Sequence, residues 1–165
     1  MTRILDDIVL GALLCVLGFG SCSTCDGADA QSRPSARALA DVARCLVAED
    51  ERGTDWPAIL DVLERRGAQH GMSAAAVARA YCAVHRARVP SSRQARIRAL
   101  PDAHPSPRLA AVYQRALEAA AAGGPGTCAA EHWGAATGDD YARAVGAGWT
   151  RVACGVTRNA FWDVP

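Results

Sequence analysis

Apolar residues recur at helical spacing through most of the chain beyond residue 35. Leu39, Val42, Ala43, Leu46 and Val47 fall on one stripe and predict a helix from about Ala36 to Ala48. A second stripe, Ile59, Val62 and Leu63, predicts a helix starting near Pro57, with Thr54 or Asp55 as its cap and Gly67 or Gly71 as its end. Ser73 caps a third helix carrying Val77, Tyr81, Cys82 and Val84, which stops before Pro90. Arg93 to Leu100 reads as a short helix between prolines, and Leu109, Val112, Tyr113, Ala116 and Leu117 set Pro107 to Ala122 as a long one. The run Gly123-Gly124-Pro125-Gly126 ends that pattern. Beyond it the periodicity fades to one helical turn, Asp139 to Val145, and a short strand within Trp149 to Val156. Three of the four tryptophans and Phe161 lie in this tail. The pattern therefore predicts a mainly α domain over 36–165, finished by an aromatic, disulfide-tied C-terminal segment containing little or no β.

The first 30 residues read differently. Arg3, the apolar run Ile8 to Phe19 and Ala28-Asp29-Ala30 follow the order of an export signal, although Asp6 and Asp7 sit where such signals are usually uncharged or basic. The apolar run is short of the roughly 20 residues of a membrane span. Gly20-Ser21-Cys22 resembles a lipoprotein processing site, so membrane attachment through a lipid on Cys22 is the alternative fate of this leader. Residues 31–35 form a linker containing Pro34. The expected location is the periplasm or the cell exterior. Three of the seven cysteines belong to the leader, which leaves Cys45, Cys82, Cys128 and Cys154. An even set in an exported domain predicts disulfides. Of the three possible pairings, Cys45–Cys82 and Cys128–Cys154 are favoured, because each joins segments that would be neighbours in a compact helical fold. No C-x-x-C pair exists among the four, which argues against zinc. All 18 basic residues are Arg and the net charge is +1, which gives no bulk attraction to nucleic acid.

Candidate chemistry centres on Glu49-Asp50-Glu51, where the first apolar stripe runs out. A carboxyl at the end of a packed helix can be buried enough for its pKa to rise, as a general acid requires. Glu49 suits this best, because Cys45, Leu46 and Ala48 precede it. Residues two apart on a helix do not face each other, so Glu51 is no partner for it. Asp50 and Glu51 are expected to be solvated, with Asp55 near the next helix start. A second carboxylate would have to come from Asp55 or Glu131. His132 and Trp133, in Ala130-Glu131-His132-Trp133-Gly134, are candidates to orient the acid and stack on a sugar ring, and Asn159 and Trp162 lie in a second polar-aromatic stretch. Tyr81 is a further candidate for the groove. Arg86, Arg88, Arg93, Arg96 and Arg98 form a basic cluster with the character of a solvated face. No H-x-x-x-H spacing, nucleophile elbow, Walker loop or dinucleotide fingerprint is present.

Together these segments resemble bacterial cell-wall hydrolases of the spore-cortex-lytic type. Leu39-Ala40 through Ala48-Glu49, then Ala58-Ile59, Val62-Leu63 and Arg65-Arg66, follow that family's helix ending in Ala-Glu and its second helix with an Asn-Arg face. Ala130-Glu131-His132-Trp133 is similar to the family's late Ala-x-His-aromatic element. The loop after Glu49 is shorter than in the family and lacks its Gly-Glu element, and Glu64-Arg65 or Arg65-Arg66 replaces the Asn-Arg. The resemblance implies a lysozyme-like helical domain that cleaves peptidoglycan glycan strands without a metal or cofactor. It assigns the catalytic acid to Glu49. Read from the residues themselves, Tyr81, His132, Trp133 and Asn159 are the groove candidates. A non-catalytic envelope-binding module and a structural lipoprotein are the alternatives.

Overall fold

The computed structural model describes residues 33–165, except Ala103 and Val156. The expected leader over 1–30, the Cys22 lipid site and the first residues of the linker lie outside the described residues. Helix α1 (Ala36–Glu49) carries the first apolar stripe, and Ala43, Cys45, Leu46 and Val47 on it are fully buried. It is followed by α2 (Trp56–His70), α3 (Ala74–Tyr81), α4 (Ala83–Arg86), α5 (Ser92–Arg98) and α6 (Pro107–Ala122). Helix α1 lies at the centre and packs against α3, α4, α5 and α6. Serines cap four of these helices: Ser35, Ser73, Ser91 and Ser106 each accept a backbone N–H from the first turn, a contact worth about 1 kcal/mol. Helix α2 ends at Gly71, whose φ of 63° is the left-handed cap conformation that glycine adopts without penalty. Gly67 stays inside the helix and is buried.

The expected third helix is two helices. Cys82 is extended (φ −73°, ψ 130°), which ends α3 and starts α4. The break turns Cys82 into the core to meet Cys45, with the two Cα atoms 5.7 Å apart. It also leaves Tyr81 at the surface, 38% exposed. A second disulfide joins Cys128 to Cys154, so both favoured pairings are present. Two disulfides suggest an oxidising, extracytoplasmic environment. Among the described residues no helix is long and apolar enough to cross a membrane.

The C-terminal segment corrects the expectation of little or no β. Strands β1 (His132–Ala135), β2 (Thr150–Val152) and β3 (Asn159–Asp163) form an antiparallel sheet in the order β1-β3-β2, with α7 (Asp139–Gly146) between β1 and β2 in sequence. Its aromatics form no single cluster, because β3 is covered on both faces. Phe161 lies opposite Trp133 and joins the main core, whereas Ala160 and Trp162 pack with Ala144 in a smaller group. The loop leading into β1 is held on α2. Asp61, 5% exposed, accepts the N–H groups of Gly126 at 2.6 Å and Cys128 at 2.7 Å, and Glu64 accepts that of Gly124 at 2.9 Å.

Candidate functional site

Glu49 is the last residue of α1, and the way that helix ends fixes its position. The final carbonyls of a helix have no partners within it. Here the Trp56 indole N–H donates to the carbonyls of Leu46 at 3.0 Å and Asp50 at 2.7 Å. The Arg93 guanidinium donates to those of Ala48 at 2.8 Å and Val47 at 3.1 Å. Trp56 is buried at the start of α2, so the two helices are joined at the point where the acid projects.

The turn after Glu49 is built by buried acids rather than solvated ones. Asp50 is 4% exposed, and its carboxylate accepts the N–H groups of Arg52 and Asp55. Asp55 occupies the cap position of α2 but makes no side-chain bond to that helix. Fully buried, it accepts instead from the backbone N–H of Arg158 and of Asn159, both at 2.8 Å. One carboxylate thus anchors the start of β3 beside the end of α1. Glu51 pairs with Arg93 at 3.1 Å. Neither suggested second carboxylate faces Glu49 freely: Asp55 is engaged as described, and Glu131 accepts from Gln69.

These supports open a cleft of about 580 Å³ whose walls include Glu49, Tyr81, His132, Trp133 and Asn159, so the candidate acid and the four groove candidates share one cleft, which Asp55, Glu131 and Trp162 do not line. Burial pushes the Glu49 carboxyl above its ordinary range, opposed by the Trp133 indole as hydrogen-bond donor and by the Arg93 charge. The Cys45 and Cys82 sulfurs lie within 4.8 Å of its carboxylate. Bonded to each other, they offer no thiolate to a metal and act as an apolar wall. Trp133 is 7% exposed, so most of its ring serves the core and the acid.

His132 is held by Arg66, which donates to its Nδ1 at 3.2 Å and to the Glu131 carbonyl at 3.1 Å. An imidazole nitrogen that accepts from a guanidinium carries no proton, so His132 bears its hydrogen on Nε2. Burial lowers its pKa, the Arg66 charge lowers it further, and Asp140 acts in the opposite direction. The same guanidinium stacks on Tyr81, 4.0 Å from the ring centroid. Trp149 meets His132 edge-on at 4.8 Å and supplies a second partly exposed aromatic wall. Trp149, Arg86, Asp140 and Arg143 also line the cleft, and sequence reasoning did not select them for it. Arg86 ends α4, whereas Asp140 and Arg143 on α7 and Trp149 in the turn before β2 reach the cleft through the sheet.

The supposed arginine cluster is dispersed. Arg93 closes α1, Arg98 donates to the Val84 and Ala87 carbonyls, and Arg86 faces the cleft. Comparison with protein families, with curated proteins and with solved structures finds no match to this chain. What the domain does must therefore be argued from the cleft itself.

Proposed function

We propose that this domain cleaves the β-1,4 bond between the amino sugars of peptidoglycan, with Glu49 as a single acid/base. The observation that carries the proposal is one cleft uniting a half-buried, protonation-prone carboxyl with Tyr81, Trp149, a neutral His132 and Asn159. Such a lining suits uncharged sugar rings, which need apolar faces and a few fixed polar groups. The similarity of residues 39–66 to cell-wall hydrolases of the spore-cortex-lytic type points the same way.

In this mechanism the Glu49 carboxyl donates its proton to the glycosidic oxygen as the C1–O bond breaks. The resulting carboxylate then takes a proton either from water, giving a reducing end, or from the sugar's own 6-hydroxyl, giving an anhydro end. The second route needs only one carboxyl group. The Trp133 indole and the Arg93 charge favour the carboxylate left after proton transfer. His132 offers its Nε2–H as a donor to the substrate. Glu49→Gln is expected to reduce fragment release from purified sacculi by about 10²- to 10⁴-fold while leaving the circular-dichroism spectrum unchanged. Mass spectrometry of the wild-type products separates anhydro from reducing ends. Full activity in the variant would remove Glu49 from the mechanism.

A further inference from the structure

The groove does not stop at Glu49. A second hollow of about 690 Å³ shares Glu49, Ala135 and Asn159 with the first and extends past the turn at 50–52. Strand β1 and the residues after it run along both, from His132 and Trp133 in the first to Ala136 and Thr137 in the second. The linings differ in chemistry. The first hollow carries Tyr81, His132, Trp133 and Trp149 together with Arg86 and an Arg143 paired to Asp140, whereas the second has no aromatic residue and carries Arg52, Arg93, Arg108 and Arg158.

The charges do not cancel within this second hollow. Asp50 is buried and bonded to two backbone N–H groups, and Glu51 is matched by Arg93. Arg52 and Arg108 are exposed and form no ion pair among the described residues. Arg158 is 58% exposed at the side chain and stands 4.0 Å from Asp50, the edge of ion-pair range. Three guanidinium groups from three separate segments therefore converge on one end of the groove. A guanidinium fork matches a carboxylate, and nothing in an uncharged sugar satisfies it as well.

Building on the cleavage reading above, we propose that the arginine half of the groove binds carboxylates of the peptide stems carried by muramic acid. Arg52, Arg108 and Arg158 supply the contacts, so the enzyme prefers peptide-bearing glycan and seats it in one direction across Glu49. The test measures binding of two defined tetrasaccharides of the glycan, one with peptide stems and one without, to full-length protein carrying Glu49→Gln. At low salt the stem-bearing ligand is expected to bind about tenfold more tightly. That ratio should collapse toward one in about 0.5 M salt and in the Arg52→Gln/Arg108→Gln double variant. Neither side chain makes a hydrogen bond among the described residues, and Arg158→Gln offers an independent second variant.

Equal binding of the two ligands, or a preference that survives both sets of substitutions, would overturn the proposal. So would competition by a soluble glycerol-phosphate oligomer but not by free stem peptide, which would assign the arginines to wall-polymer phosphates. Selective binding by a wild-type protein that releases nothing from sacculi supports the arginine assignment and removes the cleavage reading. Release without stem preference does the reverse, and binding to neither ligand overturns both.

Discussion

Glu49 combines two demands that usually conflict, since a carboxyl desolvated enough to hold its proton also opposes folding once it ionises. Its folded-state pKa lies above the ordinary glutamate value because of burial. Below the unfolded value both states hold the proton, and the stability contributed by the protonated form is fully present. As pH rises past that value the unfolded chain ionises first, and the contribution is lost by the time pH has passed through the folded pKa, where the native state must ionise a desolvated acid. Glu49→Gln is therefore expected to gain in melting temperature on wild type as pH rises from the unfolded glutamate pKa to the raised folded one, with a constant gap above that. Thermal melts across that range check this, and a constant offset would contradict the burial argument. Trp133 acts on the same proton in the opposite sense, because its N–H favours the ionised form. Trp133→Phe should raise the Glu49 pKa and move the alkaline limb of the pH–rate profile upward. A limb that stays in place would mean that the indole only packs. Glu49 was legible from sequence, as the residue where an apolar stripe ends. The local burial and the hydrogen-bond donor that tune it come from segments far away in the chain.

The elements divide by how local their causes are. Helices α1, α2 and α6 follow from 3.6-residue stripes and their boundary residues, and sequence reasoning places them within a residue or two. Strand β3 was missed because it is buried on both faces, so Asn159-Ala160-Phe161-Trp162 shows no alternation, and β1 because its four residues are too few to set a period. The supports of the cleft were hidden for a related reason. Asp55 looks like a helix cap in sequence, yet it bonds residues 103 and 104 positions away. Asp55→Asn keeps one acceptor but turns an amide N–H₂ toward the other backbone donor. It should cost about 1–3 kcal/mol in chemical unfolding, with loss of Asn159 from the cleft. Gly124 tests the other anchor of the sheet. A Cβ there would stand 2.8 Å from the Asp61 backbone nitrogen, so Gly124→Ala should destabilise by about 1–3 kcal/mol. A neutral result would mean that the 123–126 turn can lift off α2 freely.

For the molecule as a whole, the cleft is a seam. Glu49 and Tyr81 come from the helices, whereas Trp133 and Asn159 come from the sheet. One disulfide lies on each side of that seam. Cys45–Cys82 closes 37 residues inside the helical part, and Cys128–Cys154 closes 26 residues around the sheet. By loop entropy the two are nearly equivalent, at about 3–4 kcal/mol each, so a difference between them must come from where they sit. Cys45 and Cys82 are at most 1% exposed and line the wall behind Glu49, so losing that bridge loosens the core on which α1 to α6 pack. Cys154 is partly exposed and follows β2, so losing its bridge frees one corner of the sheet while α1, α2 and α6 keep their packing. Cys45→Ala/Cys82→Ala is therefore expected to lower helical signal and activity together on heating. In Cys128→Ala/Cys154→Ala, glycan binding should fail at a lower temperature than the far-ultraviolet helical signal. Brief proteolysis should then cut between residues 136 and 149 first, where α7 and the turns around it pack only in the smaller hydrophobic group. If both variants lost binding and helix in a single step, sheet and helices would be one cooperative unit, and the second disulfide would have no role particular to the cleft.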